Sequence, residues 1–193
     1  DYTLDLEAMA KAVSPKTKMV FICNPNNPTG TFVRADELDG FLDAVPAGVL
    51  VVMDEAYYEY VDDPSYPDTV AMLASRKNLM VLRTFSKVYG LAGLRVGYGI
   101  GDPEVVFAIN RVREPFNVNS LAQAAAVGAL ADKEFLQESR AVNRAGKAFL
   151  YEEFKRLGLS YIPSQSNFIL VNVGMDSQEF FRAMLKKGVI VRA

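Results

Sequence analysis

The residues best suited to chemistry lie in the stretch Arg83–Tyr98, where polar groups follow an apolar run. Lys87 comes just after the hydroxyls of Thr84 and Ser86, and Arg95 follows it by eight positions. Hydroxyls and a guanidinium suit a phosphate, which can accept bidentate hydrogen bonds from arginine. Lys87 could neutralise such a phosphate, or its amine could attack a carbonyl carbon. The residues alone leave both roles open.

Two further polar clusters come directly after apolar runs. In one, Asp54 could cap a turn, or it could pair with a cation or a protonated heterocycle in a low-dielectric site. Tyr57 follows three residues later and could direct its phenol to the same place. In the other, Asn27 lies in a loop rich in asparagine and proline, which turn geometry alone can explain. The chain has no histidine, so acid–base chemistry must use other side chains.

The elements that must hold these clusters alternate along the chain. Continuous apolar runs are typical of strands buried on both faces, and amphipathic segments between them predict helices. This alternation predicts an α/β fold with a mostly parallel sheet covered on both faces. Ligands of such sheets bind at the carboxyl ends of the strands, so three polar strand ends together indicate a site. The apolar runs are Met19–Cys23, Val49–Met53 and Leu79–Leu82.

The pattern changes after Gly158, where shorter elements predict a smaller α+β unit. A long helix predicted at 132–157 would connect it to the preceding part. We therefore expect residues 1–131 to form part of a large domain and residues 132–193 part of a small C-terminal domain. The elements predicted after Gly158 are strands near 159–162 and 167–173, a helix at 177–187 and the apolar run Val189–Val191.

Composition argues against several classes of partner and site. The 193 residues carry 21 basic and 23 acidic side chains, a net charge of −2 that does not suit a nucleic-acid-binding surface. The single cysteine, Cys23, excludes an internal disulfide framework and fits a reducing compartment. The sequence predicts no signal peptide, and no apolar run in it approaches the ~20 residues of a membrane helix. We expect a cytoplasmic protein with no membrane partner and no metal site.

Together, the polar clusters resemble the motifs of fold-type I pyridoxal-phosphate aminotransferases. Asn24–Gly30, Asp54–Tyr57 and Thr84–Lys87 with Arg95 follow one another in that family's order and spacing. Finer features are similar to the histidinol-phosphate aminotransferase branch of the family. The resemblance implies a three-layer α/β/α large domain and part of a smaller α+β domain. The finer features are Asn26-Asn27, Leu91–Tyr98, Pro115–Asn119, Ser166–Phe168 and Gly188–Arg192.

This resemblance assigns roles that the residues alone leave open. It implies that Lys87 forms a Schiff base with the aldehyde of pyridoxal 5′-phosphate and then moves a proton between substrate and cofactor. Asp54 would pair with the pyridinium nitrogen, while Asn27 and Tyr57 would hydrogen-bond the phenolic oxygen of the ring. The residues implied for the cofactor phosphate are Thr84, Ser86 and Arg95. Those implied for the substrate are Arg192 and Asn167.

The implied reaction transfers an amino group between L-histidinol phosphate and 2-oxoglutarate in histidine biosynthesis, in a homodimer. Two alternatives on the same scaffold are an aromatic amino-acid aminotransferase and a phospho-amino-acid decarboxylase. A more remote alternative is a non-catalytic, aminotransferase-like regulatory domain. Because family members are nearly twice as long, the resemblance also implies a fragment that could be inactive. It would lack the glycine-rich phosphate turn, the aromatic that stacks on the cofactor, the tyrosine lent to the partner subunit and a further substrate-binding arginine.

Overall fold

A computed structural model describes residues 2–193, in which a four-stranded sheet precedes a two-stranded one. The larger sheet has the order β1-β2-β3-β4, with β1, β2 and β3 parallel and β4 antiparallel to β3. Its strands are β1 (Met19–Cys23), β2 (Leu50–Asp54), β3 (Leu79–Thr84) and β4 (Gly97–Gly101). The predicted α/β fold with a mostly parallel sheet is thereby confirmed.

Helices connect and follow these strands, and most begin at a polar cap. Those before β4 are α1 (Leu6–Ala12), α2 (Ala35–Ala44) and the short α3 (Thr69–Met72). Those after it are α4 (Pro103–Val112), α5 (Ser120–Ala131), α6 (Lys133–Arg156) and α7 (Ser177–Lys186). Within residues 2–193, six helices begin where an Asp or Asn side chain accepts a backbone N–H, which satisfies a donor that the helix leaves free. These side chains are Asp5, Asp68, Asp102, Asn119, Asp132 and Asp176.

The main core lies between one face of the larger sheet and the helices α1 and α2. Apolar side chains of α2 recur at helical spacing, and they pack against alternate residues of the three parallel strands. Burying one such side chain contributes about 1.5–3 kcal/mol, so this core fixes the strands whose ends carry the polar clusters. The most deeply buried members are Ile22, Leu38, Val51, Met53, Leu79 and Val81.

β1 is not buried on both faces, contrary to the sequence-based expectation. Met19 and Phe21 are 55% and 63% exposed, although Ile22 is fully buried. Within residues 2–193, β1 is an edge strand, and α1 and α2 cover only the face on which Ile22 lies. The central strand β2 behaves as expected, with Val51 and Val52 both buried although they lie on opposite faces.

The second sheet pairs β5 (Ser160–Ile162) with β6 (Leu170–Asn172) in antiparallel fashion. Tyr161 of β5 stacks on Tyr151 of α6 with ring centroids 4.8 Å apart, which joins this sheet to the long helix.

Val189–Val191 follow α7 outside any strand. Among residues 2–193, no helix combines the length and apolar character that crossing a bilayer requires.

Candidate active site

The carboxyl ends of the three parallel strands lie side by side, and a polar cluster follows each of them. The register pairs Cys23 of β1 with Asp54 of β2, and Asp54 with Leu82 of β3. The loops that carry Asn27 and Lys87 therefore start at the sheet edge where Asp54 lies. This is the edge at which open α/β sheets bind ligands.

Asn27, Tyr57 and Lys87 meet in space although they belong to separate segments. The Asn27 Nδ2 donates a hydrogen bond of 2.9 Å to the Tyr57 hydroxyl, across thirty positions of sequence. The Tyr57 ring is buried, and the Lys87 Nζ lies 5.1 Å from its centroid. An ammonium group at this distance is attracted by the face of an aromatic ring. The structure thus brings together three of the predicted site residues.

Asp54 ends β2 with its side chain half-buried at the same edge. Its Oδ1 accepts a hydrogen bond of 3.1 Å from the backbone N–H of Ala56, so the carboxylate also stabilises the turn that leads to Tyr57. This geometry is compatible with both roles considered for Asp54, capping a turn and binding a ligand through its carboxylate. The aspartate is fixed by its own backbone in either case.

A buried ion pair supports the ends of β2 and β3. Glu55, the residue after Asp54, is fully buried, and its Oε2 accepts hydrogen bonds from the Arg83 Nε at 2.9 Å and Nη2 at 2.8 Å. The Thr69 hydroxyl donates to the other carboxylate oxygen at 2.6 Å. Burial raises the pKa of Glu55, while Thr69 and Arg83 oppose that rise. The Arg83 guanidinium also lies 3.6 Å from the Tyr58 ring centroid, so the pair fastens the turn next to Tyr57.

The residues predicted to bind phosphate are only partly assembled. The Ser86 backbone N–H donates to the Thr84 hydroxyl at 3.0 Å, so these two lie together. Arg95 has a left-handed backbone, with φ of 53°, and its exposed side chain donates to the Ala92 carbonyl at 2.7 Å. In the part of the chain that the structure describes, no hydrogen bond links Arg95 to Thr84 or Ser86. Their common role in phosphate binding stays a prediction.

A cavity of about 550 Å³ opens beside Lys87. Asn167, predicted to contact substrate, lines it together with Tyr60. Arg192 is exposed in the segment after α7 and is not one of the described residues that line this cavity. The cavity therefore joins Lys87 to one of the two predicted substrate residues.

The sequence predicts the long helix as a connector, but α6 also contributes a wall of this cavity. Five side chains of α6 line it, and their spacing of three to four positions places them on one helix face. The spacing defines one helix face, but which face lines a cavity depends on what packs beside the helix, so the sequence carries no signal for them. They are Phe135, Glu138, Ser139, Val142 and Asn143. Phe168 was also missed as a neighbour of Tyr57, whose ring it contacts edge-on with centroids 5.1 Å apart.

Comparison with known proteins places the chain in a family. Residues 1–193 match the family described as aminotransferase class I and II. A histidinol-phosphate aminotransferase of Moorella thermoacetica is 59% identical over 189 residues, which cover 97% of this chain and 49% of the relative. One from Brevibacillus brevis is 56% identical over 189 residues, covering 98% and 52%. The chain spans about half the length of the curated relatives that it matches.

A solved structure agrees with this match. The crystal structure of histidinol-phosphate aminotransferase from Sinorhizobium meliloti, in complex with pyridoxal-5′-phosphate, is 34% identical to the chain, with a TM-score of 0.88. The alignment covers 97% of this chain and 52% of that one. The fold, the polar strand ends and the family match over residues 1–193 lead to one conclusion. The chain belongs to the aminotransferase class I and II family.

Proposed function

We propose that the protein containing this chain is a pyridoxal-phosphate-dependent aminotransferase that transfers an amino group between L-histidinol phosphate and 2-oxoglutarate, in histidine biosynthesis. The observation that carries the proposal is the meeting of Lys87, Tyr57 and Asn27 at the sheet edge where Asp54 lies. The choice of amino donor is supported by the names of relatives that are 56% and 59% identical to the chain.

The side chains at this edge fit the groups of pyridoxal 5′-phosphate. The Lys87 amine suits an aldehyde, and the Asp54 carboxylate suits a protonated ring nitrogen. The hydrogen bond between Asn27 and Tyr57 holds an amide and a phenol side by side, as binding to one phenolic oxygen requires. The groups that would hold the phosphate are the hydroxyls of Thr84 and Ser86 and the guanidinium of Arg95.

Lys87 would have two tasks, holding the cofactor and moving a proton. When bound, pyridoxal 5′-phosphate supplies an electron sink for negative charge that develops at the substrate carbon. Once the substrate amine has displaced it, the Lys87 amine would take the proton from that substrate carbon and deliver it to a carbon of the cofactor. Asp54 would keep the ring nitrogen protonated. The Tyr57 ring, 5.1 Å from the Lys87 Nζ, would limit where the amine can move.

The substrate would enter the cavity beside Lys87. Its wall contains the Asn167 and Asn143 amides, the Ser139 hydroxyl and the Glu138 carboxylate, which can bind the two nitrogen atoms of an imidazole ring. Arg192 would contact the substrate phosphate or carboxylate, a role that requires its exposed side chain to reach this cavity.

The proposal includes a cytoplasmic homodimer in which residues 1–131 and 132–193 belong to a large and a small domain. Large apolar side chains are exposed in and around α4 and α5 of this chain, which spans about half the length of its relatives, so a second copy and the remainder of the protein are both available to cover them. Light scattering during size-exclusion chromatography would measure the assembly. The exposed side chains are Phe107, Val112, Phe116, Leu121 and Val127.

The test is a single-turnover absorbance measurement on the cofactor-loaded protein. Histidinol phosphate, phenylalanine and threonine phosphate are added in turn, and we expect histidinol phosphate to convert the bound cofactor fastest. Fastest conversion by phenylalanine would identify an aromatic amino-acid aminotransferase, and carbon dioxide release from threonine phosphate would identify a decarboxylase. No spectral change with any of the three would favour a non-catalytic regulatory domain.

A further inference from the structure

One face of α6 holds the loop between β5 and β6 through three side chains. The residues are spaced by four positions, so they project from the same side of the helix. We call Asn143, Lys147 and Tyr151 the α6 row. The Asn143 Nδ2 donates to the Ser166 carbonyl at 3.3 Å, the Lys147 Nζ donates to the Ser164 carbonyl at 2.7 Å, and the Tyr151 hydroxyl accepts from the Ser164 N–H at 2.9 Å.

The loop that the α6 row holds, Ser164–Phe168, also contacts two segments of the candidate site. The Gln165 N–H donates to the Gly30 carbonyl at 2.8 Å, in the loop that carries Asn27. The Asp62 N–H donates to the Gln165 side-chain oxygen at 3.0 Å, just beyond the turn that contains Tyr57. One glutamine therefore bridges both segments.

Gly30 shows how closely these loops approach. Its φ is +74°, and a β-carbon there would lie 2.1 Å from the Ser164 Oγ. No side chain fits such a gap, so Ser164 can move towards the Asn27 loop by very little. Steric contact at Gly30 thus prevents closer approach of the two loops, and the hydrogen bond from the Gln165 N–H to the Gly30 carbonyl opposes their separation.

Phe168 completes the connection to the site. Its ring meets the Tyr57 ring edge-on, at an interplanar angle of 85°. Tyr57 in turn accepts the hydrogen bond from Asn27 and lies beside Lys87. A continuous series of contacts thus runs from Lys147, through the Ser164–Phe168 loop, to the residues proposed to hold the cofactor.

Lys147 is the informative member of the row because its charge is half-buried. Desolvation lowers the pKa of the Lys147 ammonium, although Asp62 opposes this shift. A cation removed from water is unfavourable unless strong hydrogen bonds compensate for the lost hydration. The Lys147 ammonium donates its hydrogen bond to the backbone carbonyl of Ser164. Lys147 therefore positions the backbone of the loop.

We propose that Lys147 is a positioning residue for the proposed aminotransfer: by holding the Ser164 carbonyl it keeps the Ser164–Phe168 loop against Tyr57 and the Asn27 loop. The catalytic consequence rests on the proposed function. The structural consequence, a loop held in place by one ammonium group, can be measured without any substrate.

The test compares Lys147→Met, which keeps the length of the side chain but removes the donor, with Lys155→Met. Lys155 is exposed on the same helix and forms an ion pair with Glu152. In Lys147→Met we expect the amides of Gln165 and Asp62 to exchange hydrogen at least about tenfold faster, while amides of β2 are unchanged. We expect kcat to fall about 10- to 100-fold, with KM much less affected. The control should match the parent in both measurements.

Unchanged exchange at Gln165 and Asp62 would overturn the inference, and so would equal acceleration throughout β2, because that indicates general loss of stability. If Lys147→Met does not fold, Phe168→Leu replaces it. That variant should lower kcat without altering exchange at Gln165, and an unchanged kcat would overturn the inference. If the parent shows no aminotransfer but Lys147→Met still loosens the loop, the proposed function fails and the structural part of the inference stands.

Discussion

Lys87, Tyr57 and Asn27 each have an ordinary explanation when considered singly, as a surface cation, a packing aromatic and a turn residue. Their proximity favours a functional site over these separate explanations. The hydrogen bond from Asn27 to the Tyr57 hydroxyl spans thirty positions, and Lys87 lies beside the same ring. Packing alone does not require an amide, a phenol and an amine at one strand edge. Asp54, whose carboxylate is fixed by its own turn, adds the fourth group.

We predict that Asp54→Ala slows the half-reaction with histidinol phosphate by about 100-fold or more, because removal of one preorganised electrostatic partner typically has this effect. Cofactor affinity should fall much less, since Lys87 and the phosphate-binding residues remain. Stopped-flow absorbance and equilibrium dialysis measure the two quantities. Asp36→Ala, at an exposed position of α2, is the matched control. Equal half-reaction rates in Asp54→Ala and the parent would contradict the role of Asp54.

For single residues, the sequence predicted site positions that follow a strand better than positions that depend on a partner distant in sequence. Asn27, Asp54 and Lys87 could be found because each follows an apolar run. The direction of the Arg95 side chain could not be predicted. It depends on a left-handed backbone conformation, in which the guanidinium donates a hydrogen bond to the Ala92 carbonyl of the same turn. Phe168 could not be placed beside Tyr57, because nothing local in the sequence links them.

Among the elements, the turn Tyr58–Tyr60 carries an unusual group for a position so close to the site. Glu59 is 8% exposed, and among the described residues its Oε2 has no hydrogen-bond partner. Burial raises the pKa of Glu59 to about 7, although Arg83 and Arg140 oppose this shift. The folded state therefore favours the protonated carboxyl, and this turn should respond to pH near neutrality.

The raised pKa of Glu59 predicts how stability changes with pH. An unfolded glutamate loses its proton near pH 4.5 and the folded one near pH 7, so the stability that protonation provides is lost as pH rises across this window. Between pH 5 and pH 8 the free energy of unfolding of the parent should fall about 2 kcal/mol more than that of Glu59→Gln. Urea unfolding at both pH values measures it, with Glu152→Gln as the exposed control. A parallel decline in parent and Glu59→Gln would contradict the prediction.

Element type was predictable from local pattern, whereas burial depended on neighbours. The helix caps and the apolar runs are local, and most predicted helices and strands form where expected. β1 shows the limit: its run resembles that of β2, but it occupies the edge of the sheet and leaves Phe21 exposed. The cavity-lining face of α6 depends on what packs beside the helix, which the sequence did not show.

In the whole molecule, the candidate site lies where the two predicted parts of the chain meet. The larger sheet contributes Asn27, Asp54 and Lys87, while α6 and the Ser164–Phe168 loop contribute the cavity wall and the ring beside Tyr57. The sequence predicted the two parts but not this contact. Side chains separated by more than a hundred positions meet there, and such pairings follow from packing and not from local pattern.

Borohydride reduction of the cofactor-loaded protein, followed by peptide mass spectrometry, tests the role of Lys87 most directly. Reduction fixes the cofactor to the amine that holds it, so we predict a pyridoxyl group on Lys87 and on no other lysine. Lys87→Ala should lose both this label and the visible absorbance of the bound cofactor. A label on another amine, with half-buried Lys147 the first to check, or a persistent label in Lys87→Ala would contradict the assignment.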